Sequence, residues 1–239
     1  MNNIETSIAE IFSDWVYTLN INDIPEEVVN KLQLIVMDSF GLMVSTRNEP
    51  YIKSLINALQ EHGNCTLVGH NKNTNPFNAS IINGTAIHGE DFDDTFEGTP
   101  VHVGSVMVPA ILSSAQAKNL DGQKFLKGLV VGSELICRLA LVAPTAVHKQ
   151  GFHPTAIFGA FGSSIGVSSL LGNTKNEMTS GLGIVGSMAS GIIEYLAEGT
   201  STKRLHPGWV AGCGWQSANF AKFGFLGPRT VFEGQHGVF

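Results

Sequence analysis

Four acids fall within five positions in His88-Gly89-Glu90-Asp91-Phe92-Asp93-Asp94-Thr95. Like charges this close repel, so such a run is either a solvated loop or a place where function tolerates the repulsion. A divalent cation could neutralise it. Lys or Arg from elsewhere could do the same and turn the acids into positioning groups. Phe92 interrupts the run and an apolar-rich segment ending at His88 precedes it, so part of the run is expected to be buried. The spacing is neither an EF-hand loop nor HExxH and supports a metal only weakly. A metal-dependent hydrolase built on these acids and the histidines stands as the outlying reading.

Three further segments carry titratable groups just before expected helices. In Thr99-Pro100-Val101-His102-Val103-Gly104-Ser105, His102 stands where backbone N–H groups of residues 104–106 could meet an anion. A histidine there can act as acid or base near neutral pH. Gln150-Gly151-Phe152-His153-Pro154-Thr155 repeats the arrangement, with Thr155 as the expected cap and His153 aimed at a ligand over the helix end. Thr202-Lys203-Arg204-Leu205-His206-Pro207 is a Lys-Arg-x-His concentration in a chain poor in cations. Lys203, Arg204 and His206 therefore form the expected carboxylate-binding element. Joined in one pocket, these groups would bind a small polyanionic acid, and His102 or His153 would move a proton beside a carboxylate. The bond cleaved next could be C–O or C–C, and composition does not choose.

The elements that must position these residues are helical. Ile4, Ile8, Ile11, Phe12 and Trp15 recur at helical spacing. Asp23-Ile24-Pro25-Glu26-Glu27 is a helix start, with Asp23 as the cap and Val28, Leu32, Ile35, Val36 and Phe40 on the buried face. Further helices are expected over residues 50–61, 76–88, 106–117, 123–141, 155–171, 177–196 and 208–223. Residues 65–68 suit a single short strand or an extended crossing. Gly, Ala and Ser crowd residues 76–88, 155–171 and 177–196, which fits helices in close contact. Strand alternation is nearly absent. The expected fold is an all-α multi-helix bundle, with its polar chemistry on the connecting loops.

The 239 residues carry a net charge of −6 and no basic stripe, which argues against a nucleic-acid partner. Charged residues are few, so part of the surface is expected to lie against a partner subunit or a second domain. Cys65, Cys137 and Cys213 are odd in number and far apart, without CxxC; a reducing, cytoplasmic setting fits them. The start has no signal-peptide pattern, and no apolar run is long enough to read as a membrane span. The Gly-rich segments contain no phosphate-binding fingerprint, so no nucleotide cofactor is expected. Residues 230–239 read as the opening of further structure, which makes 1–239 a helical domain incomplete at its C-terminal end.

The stretches NGTAIHGEDFDDTFEGTPVHVGS, QGFHPTAIFGAFG, STKRLHPGWVAGCG and GPRTVFEG, taken in order, resemble the 2-methylcitrate dehydratase family (MmgE/PrpD), which includes cis-aconitate decarboxylase. The resemblance covers nearly the whole chain. It implies the family's large helical domain, with the smaller α/β domain absent, and a homodimer. It also implies chemistry on tricarboxylates or related acids without a metal or organic cofactor. Carried over by motif, the pocket residues are Asp91, Thr95, His102, His153 and Lys203. Lys203 would bind a substrate carboxylate and stabilise charge, His102 and His153 would be acid and base, Asp91 would orient a base or hydroxyl, and Thr95 would donate a hydrogen bond. Val103 departs from the family pattern, which has Pro after the histidine; the backbone is freed but no functional group is lost. The leading expectation is dehydration of a 2-methylcitrate-like acid. The alternatives are a cis-aconitate-type decarboxylase, an acid isomerase or epimerase, half of a split enzyme completed by a separate chain, and a non-catalytic remnant.

Overall fold

The structure, a computed structural model, describes residues 5–59 and 62–239. Ile4 and the expected end of the third helix at Glu61 lie outside them. The helices are α1 (Ile8–Thr18), α2 (Glu26–Ser45), α3 (Pro50–Ala58), α4 (Pro76–His88), α5 (Gly104–Lys118) and α6 (Gly122–Val142). They continue with α7 (Ala146–Lys149), α8 (Pro154–Leu170), α9 (Lys175–Gly186), α10 (Tyr195–Glu198) and α11 (Thr202–Lys222). Two-residue strands β1 (Cys65–Thr66) and β2 (Asn73–Thr74) pair antiparallel, so the short strand expected near residue 65 belongs to a small hairpin. The fold is all-helical, as the sequence leads one to expect.

Helix α8 runs through the centre, packed by α6, α11, α5 and α9. Its small residues explain how. Gly162 and Gly166 of α8 face Gly132 and Gly128 of α6 so closely that a Cβ on Gly162 would lie 2.7 Å from the Gly132 carbonyl, and one on Gly166 2.7 Å from the Gly128 carbonyl. Two Gly-x-x-x-Gly pairs thus let the backbones touch. On its other side, Ser163 Oγ donates to the Val210 carbonyl of α11 at 2.7 Å, and Ser217 Oγ donates to Ser164 Oγ at 2.9 Å. Gly84 of α4 meets Gly208 of α11 in the same way. These close crossings bring the C-terminal end of α4 and the N-terminal ends of α5, α8 and α11 together at one end of the bundle.

Several local expectations are corrected. In α1 the apolar stripe of Ile8, Ile11 and Trp15 is exposed, and Ala9, Ser13 and Val16 are buried. Close approach to α9, with Thr179 Oγ1 donating to Ser13 Oγ at 3.1 Å, selects small residues over large ones. Asp23 does not cap α2; it lies in a 3-10 turn, and Pro25 is the cap residue without a side-chain bond. Leu32, Ser39 and Met43 are the buried residues of α2, whereas Phe40 is exposed. By length and composition Glu26–Asn48 could cross a membrane, contrary to the reading of the apolar runs; α2 packs on α4, α5 and α6. The helix expected over 177–196 ends at Gly186, and a bridge between Phe152 and Ile192 follows before α10. Residues 230–239, read as an opening of further structure, fold back onto the bundle: Phe232 is fully buried with its ring 4.9 Å from that of Phe161.

The helix contacts give a stability test. A Cβ on Gly208 would lie 2.2 Å from the Ile81 carbonyl oxygen, a backbone atom that cannot swing aside. Gly208→Ala is expected to lower stability by about 2–3 kcal/mol or more in thermal unfolding. Gly41→Ala, on the open side of α2 with nothing within 4 Å, is expected to raise it by about 0.5–1 kcal/mol through helix propensity.

Candidate active site

The acidic run resolves into four carboxylates, each with a different main partner. Glu90 accepts from Tyr51 Oη at 2.9 Å. Asp91 accepts from Lys203 Nζ through both oxygens, at 2.7 and 2.6 Å. Asp93 lies between His88 and His102, and Asp94 accepts from the Gly104 backbone N–H at 2.8 Å. Each acid thus has a partner, although the charge of Asp93 still bears on Asp94. Burial falls on Asp93, whose side chain is wholly enclosed, and Phe92 is the side chain pushed into solvent. Nothing in the spacing distinguishes the buried acid from its neighbours.

Asp93 organises the centre. His88 Nδ1 is 2.9 Å from one of its oxygens, and His102 Nδ1 is 3.3 Å from the other. An ionised carboxylate only accepts, so each histidine presents Nδ1–H to it, which leaves His102 Nε2 as the outward-facing nitrogen. That nitrogen is 3.9 Å from Asp91 Oδ1. Thr95 Oγ1 lies 3.4 Å from His102 Nδ1. His88 and His102 stand edge to face at 4.8 Å between ring centroids, and His88 stacks on His153 at 5.6 Å. His88 Nε2 is buried without a hydrogen-bond partner among the described residues.

The two expected acid–base histidines differ in environment. Burial disfavours a charged His102, but the hydrogen bond and charge of Asp93 outweigh it and hold His102 above the ordinary imidazole range. Burial also opposes charge on Asp93, and its two histidines nonetheless hold it well below the usual carboxylate range. His153 is buried with no carboxylate partner among the described residues and with other cationic or imidazole groups around it, so its pKa is driven down to about 2. His206, whose Nδ1 is 3.3 Å from His153 Nδ1, is likewise pushed down by burial to about 4. One Nδ1 of that pair must carry the hydrogen and the other must accept it. His102 is thus the ring whose surroundings favour the imidazolium, and His153 the ring whose surroundings favour the neutral form.

The helix starts hold these groups differently from expectation. Helix α5 begins at Gly104, and the protein's own Asp94 takes the first N–H that was read as open to an anion. Burial pushes Asp94 up to about 6, opposed by this bond and reinforced by the charge of Asp93. Thr155 is not a cap: His153 is the cap residue of α8, and Thr155 Oγ1 accepts from the His102 backbone N–H at 3.2 Å. Helix α11 begins at Thr202, six residues before the expected 208. Lys203, Arg204 and His206 therefore lie on its first turns and not in a loop. Pro207 is accommodated inside this helix.

Of the residues singled out from the sequence, Asp91, Thr95, His102, His153, Lys203 and His206 meet at this end of the bundle. Arg204 turns elsewhere: its Nε donates to the Gly89 carbonyl at 2.7 Å and its guanidinium lies 4.9 Å over the Tyr51 ring. That geometry makes it a brace between α11, α3 and the loop after α4. His88, Asp93 and Tyr195 were not singled out as site residues. Asp91 adopts φ +60°, a left-handed conformation that Asp tolerates better than most residues and that aims its carboxylate at Lys203. Its side chain remains 55 % exposed, so the Lys203 pair contributes positioning more than stability. Burial opposes its charge, yet Lys203 holds Asp91 below the ordinary range. One ligand atom from each of His88, Asp91, Asp93 and His102 lies within 4.8 Å of the others, a group that could hold a metal ion. A bound cation would compete there with the Lys203 ammonium on Asp91 and with the proton shared by His102 and Asp93.

Asp93→Asn is expected to lower the His102 pKa, because the hydrogen bond and charge that favour the imidazolium are removed. Histidine NMR titration of the two proteins measures this directly. The sign for stability follows: the His102–Asp93 contribution is complete below the ordinary histidine pKa and is lost as pH rises through the elevated folded value. For Asp94 the raised pKa means that ionisation costs stability as pH passes from 3.8 through about 6. Asp94→Asn keeps the acceptor for Gly104 and is expected to raise the melting temperature at pH 7 but not at pH 4.

The MmgE/PrpD N-terminal domain model matches residues 10–239. A cis-aconitate decarboxylase-like protein of Aspergillus oryzae is 27 % identical over 98 % of this chain and 51 % of its own length. The cis-aconitate decarboxylase of Aspergillus terreus is 24 % identical over 100 % of this chain and 50 % of its own. The human cis-aconitate decarboxylase is 27 % identical over 95 % and 48 %. The chain thus spans about half the length of the curated relatives it matches, and with the family model covering nearly all of it, it belongs to the MmgE/PrpD family.

Proposed function

We propose that this end of the bundle is the helical half of a lyase site for small di- or tricarboxylic acids, and that its reaction is decarboxylation of a cis-aconitate-type substrate. The observation that carries the reading is His102 held at Nδ1 by buried Asp93, a setting that favours its imidazolium, beside a Lys203 ammonium at the open face. The names of the relatives favour decarboxylation over the dehydration expected first. Lys203 binds a substrate carboxylate, exchanging part of its contact with Asp91 for it. In a β,γ-unsaturated acid of this kind, the C–CO2 bond breaks and its electron pair forms a new C=C bond. The old π pair moves to the far carbon, which takes a proton from His102 Nε2, and carbon dioxide leaves. Atoms and charge balance without an oxidant. His153, neutral and buried, serves as a hydrogen-bond partner to the substrate, and Thr95 holds the His102 ring. The exposure of Asp91 fits a pocket closed by groups beyond this domain, which exclude water as the reaction proceeds.

Dehydration of a 2-methylcitrate-type acid is the second reading. The 3.9 Å approach of Asp91 to His102 Nε2 favours it, because it sets a carboxylate beside an imidazole that could share the work of removing a C–H proton and protonating a departing hydroxyl.

Product analysis of the purified protein with cis-aconitate, citrate and 2-methylcitrate tests both. Carbon dioxide from cis-aconitate supports the first reading, and water lost from either of the other two supports the second. In whichever reaction is found, Lys203→Ala is expected to reduce kcat/KM by about 10²–10³-fold, the usual effect of removing one charge-stabilising donor. A Lys203→Ala protein with unchanged kcat/KM would remove Lys203 from the site.

A further inference from the structure

Three consecutive residues after α4 are each held by a different side chain. The Gly89 carbonyl accepts from Arg204 Nε at 2.7 Å, and Glu90 Oε1 accepts from Tyr51 Oη at 2.9 Å. Asp91 accepts from Lys203 Nζ at 2.7 and 2.6 Å. The first two anchors are also fixed on each other, because the Arg204 guanidinium of α11 lies 4.9 Å over the Tyr51 ring of α3. The main chain has to be bare where it passes this ring. A Cβ at Gly89 would run into the Tyr51 hydroxyl, so glycine is what lets that hydroxyl reach Glu90. Burial and the adjacent Glu90 push the phenol up, which keeps it a donor.

What these anchors hold is a costly conformation. The Asp91 N–H donates to the His88 carbonyl at 3.2 Å, and Asp91 then sits at φ +60°, where a side chain is unfavourable. A residue other than glycine persists there only when its surroundings fix it. The Lys203 pair is a poor guarantor, since the Asp91 side chain is 55 % exposed and the same ammonium is the group that must turn to a substrate carboxylate. When Lys203 turns, the Arg204 and Tyr51 anchors remain.

We infer that Tyr51 is a positioning residue: by holding Glu90 it keeps Asp91 in its left-handed conformation, beside Lys203 and His102, while Lys203 engages the substrate. For its effect on turnover the inference rests on the lyase reading above; for its effect on Asp91 it rests on the geometry of the loop alone.

NMR of the isotope-labelled protein without substrate tests the second part, since backbone scalar couplings report the Asp91 φ. Tyr51→Phe removes the hydroxyl and keeps the ring beneath Arg204. It is expected to move Asp91 toward negative φ, whereas Glu90→Gln, which retains an acceptor for Tyr51, keeps the left-handed value. Glu90 is exposed, so water can replace the lost bond and the melting temperature is expected to change little. In whichever reaction product analysis finds, Tyr51→Phe is expected to lower kcat/KM by about 10–10²-fold, the order that a small misplacement of a reacting or binding group costs. Glu90→Gln should stay near the parent value. In an Asp91→Ala background Tyr51→Phe should have no further effect, because the hydroxyl acts through Asp91; an equal fall in both backgrounds overturns the inference. An Asp91 φ unchanged by Tyr51→Phe overturns it too, whether or not the protein is active. If Asp91 moves but the parent protein turns over none of the three acids, the positioning role of Tyr51 stands and the lyase reading falls.

Discussion

A single buried negative charge organises the candidate site of this protein. Asp93 is wholly enclosed, and a carboxylate in that position is tolerable only if hydrogen-bonded and compensated. His88 and His102 meet that need from two directions, and in doing so their rings are fixed. The orientation of His102, the side on which its free nitrogen lies and its tendency to hold a proton all follow from this one contact. The remaining acids then fall into other tasks: Asp94 on the first N–H of α5, Asp91 on Lys203, and Glu90 on Tyr51.

Such an arrangement requires helix ends placed to within hydrogen-bonding distance, and the packing supplies that. Backbones of α6 and α8 touch through paired glycines, as do those of α4 and α11. Contacts of that kind leave little freedom to slide, because the opposing atoms are main chain and not flexible side chains. The Gly, Ala and Ser content of α8, unremarkable as composition, is thus what holds His153 beside His88 and His88 beside His102. Arg204 adds a brace from outside, tying the loop after α4 to α11 and α3.

The same electrostatics separates two histidines that look alike in sequence. Both precede a helix, but only His102 has a carboxylate at its Nδ1, while His153 faces another imidazole. Burial disfavours the imidazolium in both, and one neighbouring charge reverses the balance in one of them. A division between a proton-carrying ring and a neutral hydrogen-bonding ring is a natural consequence.

The sequence by itself determined the helical class, because apolar spacing and capping chemistry are local properties. It also marked the segments that meet at the site, because residue type limits what chemistry a segment can do. It misjudged where α11 begins, and it did not show which face of α1 is buried or that Phe232 packs on Phe161, since each depends on what a distant element offers as a partner. Ser13 is buried because α9 comes close, and Phe232 because Phe161 leaves room for it. Only the tertiary structure decided that Asp93 is the buried acid, that His88 shares it, and that Arg204 is a brace. Four neighbouring carboxylates are equivalent in a list of residues; they become distinct only when helices far apart in sequence bring each a different partner.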